Sequence, residues 1–358
     1  MKAAMRFLAR SVCAVGNPLD LLHRPGYTFA GQDQAADALP FRGFTMANET
    51  DFIINSDSFR EILLPESRVM RLAEGLKFTE GPVWLREADC LLFSDLGAGK
   101  IMRWSERDGL SVWRDPSNFA NGNTLDANGS LITCEHGTRR VTATASVARA
   151  GQDSGISILA QSYAGKRLNS PNDIVVKSDR TIWFTDPPYG IRPEQVEQPA
   201  NYVFRLDPGA AEPVPVTDSL LRPNGLCFSP DESLLYVADS STERHHVRVF
   251  RVMADNRLSP HPPAPSPSVE RGSGDVFATI EPGVPDGMRV DKGGRVYITA
   301  GDGVHVYSPG GQCLGRIRVP EVTANCTFGG SDGRTLFMTA STGLYAVKLN
   351  ASGARLPR

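Results

Sequence analysis

Short runs of β-branched and aromatic residues, each bounded by Gly, Asp, Asn or Pro, recur from about residue 65 to the C-terminal end. Apolar and polar positions that alternate with a period of two indicate strands, whereas the 3.6-residue period of an amphipathic helix is nearly absent here. The pattern therefore predicts an all-β body.

One pattern occurs six times in this body: a polar or Gly-containing turn, an apolar strand, an Asp/Gly turn, a second apolar strand with a polar end, and a third strand. The copies begin at Glu80, Asn121, Asn172, Asn224, Asp286 and Asn325. Their spacing of roughly 40 to 60 residues suits one four-stranded blade per copy. Such a sheet cannot bury both faces alone, so the copies should stack radially. We predict a six-bladed β-propeller with four-stranded blades around a central channel, forming a single domain over residues 46–358.

Three segments lie outside the six copies. Segment 68–76 (RVMRLAEGL) resembles a strand, and we expect it to be the outermost strand of the last blade. Segment 259–274 is rich in Pro and Ser and is predicted to be a surface loop. Residues 1–45 are interpreted as a disordered extension, or as a segment upstream of the true initiator methionine, Met46. A weak export signal is the alternative.

Composition and charge narrow the class of protein. The formal net charge is -2, and no cluster of Lys and Arg with interleaved aromatic residues occurs, which argues against a nucleic-acid partner. The sequence contains no apolar run of about 18 residues, which is the length that would predict a membrane span. The six cysteines are scattered without a C-x-x-C pair, as expected of free thiols in a reducing compartment. We expect a cytoplasmic protein, either monomeric or weakly homo-oligomeric.

Polar residues stand at the head of each predicted innermost strand. In a propeller these heads should meet near one mouth of the channel. They are Glu80, Asn123, Asn172, Asn224, Asp286 and Asn325. Two carboxylates and four amides suit a hard cation such as Ca²⁺ or Mg²⁺ better than a structural zinc. Asn-Gly and Asp-Gly are also favoured turn dipeptides, so a channel metal and ordinary turns both remain open.

Five motifs in order connect this chain to a known family. They are 78–84 (FTEGPVW), 169–173 (NSPND), 183–190 (WFTDPPYG), 222–231 (RPNGLCFSPD) and 285–291 (PDGMRVD). Over about residues 65–350 the chain resembles the SMP-30/gluconolactonase/regucalcin-like family. The resemblance implies a metal held by Glu80, Asn224 and Asp286, with Asn172 either ligating it or holding the substrate close to it.

The resemblance also implies a reaction, the opening of a sugar lactone by a metal-activated water. One divalent ion would polarise the carbonyl oxygen and acidify the bound water. Ca²⁺ is the first choice, with Mg²⁺, Mn²⁺ or Zn²⁺ as alternatives. Asp286 is expected to be the general base and Glu80 mainly a ligand, although either carboxylate could take the proton.

A polyhydroxylated substrate requires several hydrogen-bond donors and acceptors around the metal. Segment 134–137 (CEHG) resembles a family motif, and Asn123, Glu135 and His136 are candidate substrate-binding residues beside Asn172. For His136, a structural role between blades is an equal alternative.

Other acidic residues in the motifs have a structural interpretation. Asp173 and Asp186 are read as a turn residue and a strand-end residue that hold loops through backbone hydrogen bonds, and Asp239 is read as structural.

Two rival functions share the predicted fold. One is a broader lactonase or a phosphotriesterase, because the motifs around the metal do not define the pocket. The other is a non-catalytic propeller that binds a sugar, calcium or a partner protein. The paired carboxylates Glu80 and Asp286 favour an enzyme, since a binding platform has no need of two acids in a dry channel.

Overall fold

The computed structural model describes residues 51–145, 147, 155–260 and 275–354. The predicted extension over 1–45 and all but the first two residues of the predicted loop over 259–274 lie outside these ranges. Within the described residues, no helix has the length and apolar character needed to cross a membrane.

Antiparallel strands dominate the first half of the described chain. The elements before the first repeat are β1 (Phe52–Ile54), α1 (Asp57–Arg60) and β2 (Met70–Ala73). Blade 1 comprises β3 (Thr79–Leu85), β4 (Cys90–Asp95), β5 (Lys100–Ser105) and β6 (Gly109–Arg114). Blade 2 comprises β7 (Ala120–Leu125), β8 (Leu131–Glu135), β9 (Arg140–Thr144) and β10 (Ile156–Ala160). A separate hairpin follows, formed by β11 (Ser162–Tyr163) and β12 (Lys166–Arg167).

The second half repeats this arrangement. Blade 3 comprises β13 (Ile174–Val176), β14 (Ile182–Asp186), β15 (Tyr202–Leu206) and β16 (Val214–Thr217). Blade 4 comprises β17 (Pro223–Phe228), β18 (Leu234–Asp239), β19 (His246–Val252), β20 (Leu258–Pro260) and β21 (Asp275–Thr279). Blade 5 comprises β22 (Met288–Val290), β23 (Val296–Ala300), β24 (Gly303–Tyr307) and β25 (Cys313–Arg318). Blade 6 comprises β26 (Thr323–Gly329), β27 (Thr335–Ala340) and β28 (Leu344–Lys348). Short 3₁₀ turns lie at Leu96–Ala98 and Pro193–Gln195.

The six sheets form a ring, and the predicted six-bladed all-β propeller is confirmed. The innermost strands contact one another in the cyclic order β3, β7, β13, β17, β22, β26. As predicted from segment 68–76, β2 pairs with β28 and supplies the outermost strand of blade 6.

Two blades depart from the predicted four strands. In blade 5, β1 adds a fifth strand outside β25. In blade 4, β20 and β21 both pair with β19, so the chain on either side of residues 261–274 forms the edge of this sheet. Ser259 and Pro260, predicted to be loop residues, are the end of β20.

An aspartate closes the turn between the first and second strands of five blades. These residues are Asp126, Asp179, Asp231, Asp291 and Asp332. In each turn the side chain accepts a hydrogen bond from a backbone N–H two to four residues further on, which favours the turn locally.

A second set of carboxylates ends the second strand of three blades. Asp95 accepts from the backbone N–H groups of Lys77 and Phe78, just before β3. Asp186 accepts from Asn169, and Asp239 accepts from Leu221 and Arg222. These carboxylates hold the segment that leads into each inner strand, which is the role predicted for Asp186, and Asp239, predicted to be structural, does the same.

Apolar side chains fill the interfaces between blades. The described residues form six such clusters, one at each interface. Trp84 of blade 1 stacks on Phe337 of blade 6, with ring centroids 5.2 Å apart. Trp183 of blade 3 meets Phe228 of blade 4 edge to face at 5.4 Å. The core of this fold is therefore distributed around the ring.

Glycines permit the inner strands to approach closely. A Cβ atom at Gly81 would lie 2.0 Å from the backbone oxygen of Asn121, and one at Gly225 would lie 2.1 Å from that of Asp286. A Cβ at Gly122 would lie 2.5 Å from the backbone oxygen of Asn172. The glycines that follow the polar strand heads are therefore required by the neighbouring blade, and their dipeptides are not hairpin turns.

We expect Gly225→Ala to destabilise the protein by about 1–3 kcal/mol, because the added methyl group must displace the backbone of blade 5. The measurement is thermal unfolding followed by circular dichroism. Gly310→Ala is the control, because the nearest atom to a Cβ at Gly310 is the Ser308 Oγ at 3.8 Å. Equal melting temperatures for the two variants would contradict this account of the interface.

Candidate functional site

One polar side chain from each blade lies at the same end of the channel. We call these side chains the ring. They are Glu80, Asn121, Asn172, Asn224, Asp286 and Asn325. Each lies within the first three residues of an inner strand or two residues before it, so the propeller itself positions them.

Hydrogen bonds connect the ring members across the blades. The Asn325 Nδ2 donates to the Glu80 Oε2 at 3.2 Å. On the other side, the Asn121 Nδ2 donates to the Asn172 Oδ1 at 2.7 Å, and the Asn172 Nδ2 donates to the Asn224 Oδ1 at 2.6 Å. The Asn224 amide in turn bonds to Asp286. Three of the four predicted metal ligands, Asn172, Asn224 and Asp286, therefore lie in one hydrogen-bonded chain, and the fourth, Glu80, acts on Asp286 through its charge.

Blade 2 contributes Asn121 to the ring, although sequence analysis selected Asn123. The Asn123 side chain is fully buried, and its Nδ2 lies 2.9 Å from both the Gly81 oxygen and the Ser94 Oγ. A register shift between Ala120 and Asn123 marks a β-bulge in β7. A bulge changes which side chains share a face, so counting with a period of two does not identify the channel residue.

Glu80 is a buried carboxyl group, with 4% of its surface exposed. Burial raises its pKa to about 7, and the negative charge of Asp173 adds to the rise. The backbone N–H of Gly81 donates to Oε2 at 3.0 Å and partly offsets this effect. Glu80 therefore exchanges a proton near neutral pH.

Asp286 is the second acid of the ring, and only blade 6 separates it from Glu80. Burial raises its pKa well above the usual range, and the charges of Glu80 and Asp173 raise it further. Asp173 is itself 1% exposed, and burial raises its pKa too. Sequence analysis interpreted Asp173 as a turn residue that makes backbone hydrogen bonds, and its carboxylate does accept from the Ile174 N–H at 2.9 Å. It also lies within electrostatic reach of both ring acids.

The ring has the chemistry of a site for a hard cation. The Asp286 Oδ1 is buried without a hydrogen-bond partner, and the same is true of the Asp173 Oδ2. No three His, Cys, Asp or Glu side chains come together as a metal site in the part of the chain that the structure describes. The ring offers two carboxylates with amides between them, and Ca²⁺ accepts both kinds of oxygen. These residues fit a divalent metal.

His136 adjoins the ring. Its Nε2 lies 3.2 Å from the Asn121 Nδ2, and its side chain is 3% exposed. Burial lowers its pKa to about 4, so the imidazole is neutral at neutral pH. A Cβ at Gly190 would lie 2.6 Å from the His136 Cβ, which shows that the WFTDPPYG segment packs directly on this histidine.

Glu135 is engaged in a buried ion pair. Its Oε2 accepts from the Arg140 Nε at 2.7 Å, and its Oε1 accepts from the Thr142 Oγ1 at 3.2 Å. Further bonds come from Asn118 and Thr138, and none of these partners of Glu135 in the described part of the chain belongs to the ring.

Tyr189 and Arg222 were not selected from the sequence. The Tyr189 phenol is buried, and this burial raises its pKa. The negative charge of Asp286 raises it further. The Arg222 guanidinium lies 5.6 Å from the centre of the Tyr189 ring. Both residues belong to the motifs 183–190 and 222–231, and membership of these motifs was the signal that could have identified them.

Comparisons with known proteins find similarity over most of this chain. The sequence profile of the SMP-30/Gluconolactonase/LRE-like region matches residues 78–342. A gluconolactonase from Zymomonas mobilis is 31% identical over 345 residues, which cover 91% of this chain and 92% of that protein. The structure of a gluconolactonase from Xanthomonas campestris covers 88% of this chain and 100% of its own, with a TM-score of 0.76 and 33% identity. A calcium-binding regucalcin from Agrobacterium tumefaciens shares the fold, with a TM-score of 0.63, 17% identity and coverage of 80% and 96%.

The raised pKa of Glu80 predicts how stability depends on pH. The folded protein holds this proton up to about pH 7 and the unfolded chain only to about 4.5, so ionisation destabilises the fold progressively between these values. In chelator, we expect Glu80→Gln to melt a few degrees higher than the native protein at pH 8 and at nearly the same temperature at pH 4. Calorimetry at both pH values measures this difference.

Glu87→Gln is the control for this experiment, because Glu87 is exposed in the turn between β3 and β4. A stability difference for Glu80→Gln that does not change between the two pH values would contradict the assigned pKa.

Proposed function

This chain belongs to the SMP-30/gluconolactonase/LRE-like family, and from that premise we propose that it opens a sugar lactone with one divalent metal held at the ring. The chain is a lactone hydrolase, as its gluconolactonase relatives are. We further propose that the reaction depends on a metal and that individual ring residues have the roles given below.

One observation carries it: two buried acids, Glu80 and Asp286, lie at one end of the channel within electrostatic reach of each other, and each is hydrogen-bonded to an amide side chain of the ring. Acids held close together in a buried site are costly unless a cation or a proton compensates them. A metal-dependent enzyme that activates water for acyl transfer uses both a cation and a proton acceptor.

Glu80, Asn224 and Asp286 would hold the metal, and Asn172 would either complete the set or hold the substrate beside it. A bound divalent ion supplies Lewis acidity to the lactone carbonyl and lowers the pKa of a bound water. Ca²⁺ is the first choice because every ligand is an oxygen atom. The amides need only a half-turn about the last side-chain bond to present oxygen in place of nitrogen.

Asp286 is assigned as the general base. Its Oδ1 has no hydrogen-bond partner, and its raised pKa suits a group that takes a proton at neutral pH. It removes a proton from the water that attacks the carbonyl carbon. The bond from this carbon to the ester oxygen of the lactone then breaks, and that oxygen takes a proton, which yields the open-chain sugar acid.

The remaining candidates divide into two groups. His136, neutral and in contact with Asn121, is placed to exchange a hydrogen bond with a sugar hydroxyl. Asn123 and Glu135 have their polar atoms bonded inside the protein, and we assign them to the support of the ring and its rim.

Hydrolysis of glucono-1,5-lactone tests the reaction. Protein stripped with a chelator should lose activity and regain it with a divalent ion, and proton release measures the rate after subtraction of spontaneous opening. Ca²⁺, Mg²⁺, Mn²⁺ and Zn²⁺ are added separately to identify the ion. Metal binding without lactone turnover would move the proposal to other lactones or phosphotriesters, and turnover unaffected by chelation would refute the metal.

Replacing the proposed base tests the mechanism. Asp286→Asn should lower kcat at least about a hundredfold, because general-base catalysis contributes at least that much. The assay uses saturating Ca²⁺, and elemental analysis confirms that the variant is loaded. Asp207→Asn, in the exposed turn between β15 and β16, is the control. Near-native turnover by loaded Asp286→Asn would transfer the role to Glu80.

A further inference from the structure

A second charged layer lies in the channel next to the ring. Asp173 follows the ring residue Asn172 directly, and Arg289 comes three residues after Asp286. The Arg289 Nη1 lies 4.0 Å from the Asp173 Oδ2, and the two side chains are 18% and 2% exposed. This pair joins blade 3 to blade 5 across the channel.

The pair faces the ring on one side and a cavity on the other. A cavity of about 600 Å³ opens at the opposite end of the channel, and the far ends of the inner strands line it at Val83, Leu125, Val176, Phe228, Val290 and Phe328. Arg289 also lines this cavity. The charge pair therefore separates the ring from the far mouth.

The charges of this layer act on the ring acids. The Asn325 amide bonds both to Glu80, at 3.2 Å, and to Asp173, so only one side chain separates the charges of the layer from a ring acid. The layer and ring together hold three carboxyl groups and one permanent cation. The Asp173 Oδ1 accepts from the Ile174 N–H at 2.9 Å, while its Oδ2, facing Arg289, has no hydrogen-bond partner. Asp173 is thus held by the electrostatic attraction of Arg289 together with hydrogen bonds from the Asn325 amide and the Leu226 backbone N–H.

We propose that the Asp173–Arg289 pair sets the affinity of the ring for a divalent cation, with Asp173 strengthening binding and Arg289 limiting it. Neither residue is a metal ligand in this proposal. Each acts on the ion through the field at the ring, which is strong because the channel is buried. The inference rests on the proposed metal site and adds to it the residues that tune it.

Charge-neutral variants separate the two contributions. With chelator-stripped protein and CaCl₂ in a calorimetric titration, Asp173→Asn should weaken the Kd at least about tenfold, because it leaves the Arg289 charge uncompensated beside the cation. Arg289→Met should tighten the Kd by a comparable factor. The double variant should bind within about threefold of the native protein, because the two changes offset each other.

A matched pair in the same blade provides the control. Asp291 and Arg295 are 2.7 Å apart, and Asp291 is as buried as Asp173, but this pair lies at the turn between β22 and β23. Asp291→Asn should therefore lower the melting temperature without changing the Kd for Ca²⁺. Arg289→Lys keeps the charge and should bind Ca²⁺ as the native protein does, and Arg289→Gln, which is also neutral, replaces Arg289→Met as the test of charge if the latter does not fold.

The outcomes distinguish this inference from the proposed function. Native protein that binds Ca²⁺, together with an Asp173→Asn variant of unchanged Kd, would overturn the role of the pair and leave the metal site intact. A double variant as weak as Asp173→Asn alone would overturn the opposing role of Arg289. Native protein that binds none of Ca²⁺, Mg²⁺, Mn²⁺ and Zn²⁺ would overturn both proposals.

Discussion

The six inner strands approach one another so closely that the backbone of one blade occupies the space where a side chain of the next would lie. Gly81, Gly122 and Gly225 make this approach possible, because a Cβ at any of them would lie within 2.5 Å of a backbone oxygen of the neighbouring blade. At Gly287 the neighbouring group is a side chain, because a Cβ there would lie 2.1 Å from the Asn325 Cγ. The narrow channel therefore follows from backbone packing, and the polar residue before each of these glycines is placed at its rim.

The same closeness concentrates charge. Glu80, Asp173 and Asp286 are carboxyl groups whose pKa values rise mainly because burial disfavours their ionised forms. Their mutual repulsion adds to the cost, and Arg289 is the cation that the channel supplies against it. Three carboxyl groups beside one cation favour the binding of a further positive charge. The geometry of the blades therefore suits a reaction that needs an acid–base group and a metal.

Stability comes from features outside the ring, which leaves the ring free for chemistry. Each blade interface contains its own apolar cluster, so no single core carries the fold. Asp95, Asp186 and Asp239 hold the segments that lead into the inner strands through backbone hydrogen bonds. The pairing of β2 with β28 joins the two ends of the ring. The costly buried acids are thus carried by a scaffold whose contacts do not involve them.

Local patterns in the sequence were sufficient for the six repeats, the closing strand and the positions of Glu80, Asn172, Asn224 and Asp286, because strand periodicity and repeat register are properties of neighbouring residues. Only the tertiary structure decided between Asn121 and Asn123, since the bulge in β7 changes the facing of its side chains. The tertiary structure also showed that Asp173, predicted to be a turn residue, is a channel acid beside Arg289. The sequence could not show this contact, because it joins segments more than a hundred residues apart. Repeats can be read along the chain, but contacts across a channel depend on how the blades close around it.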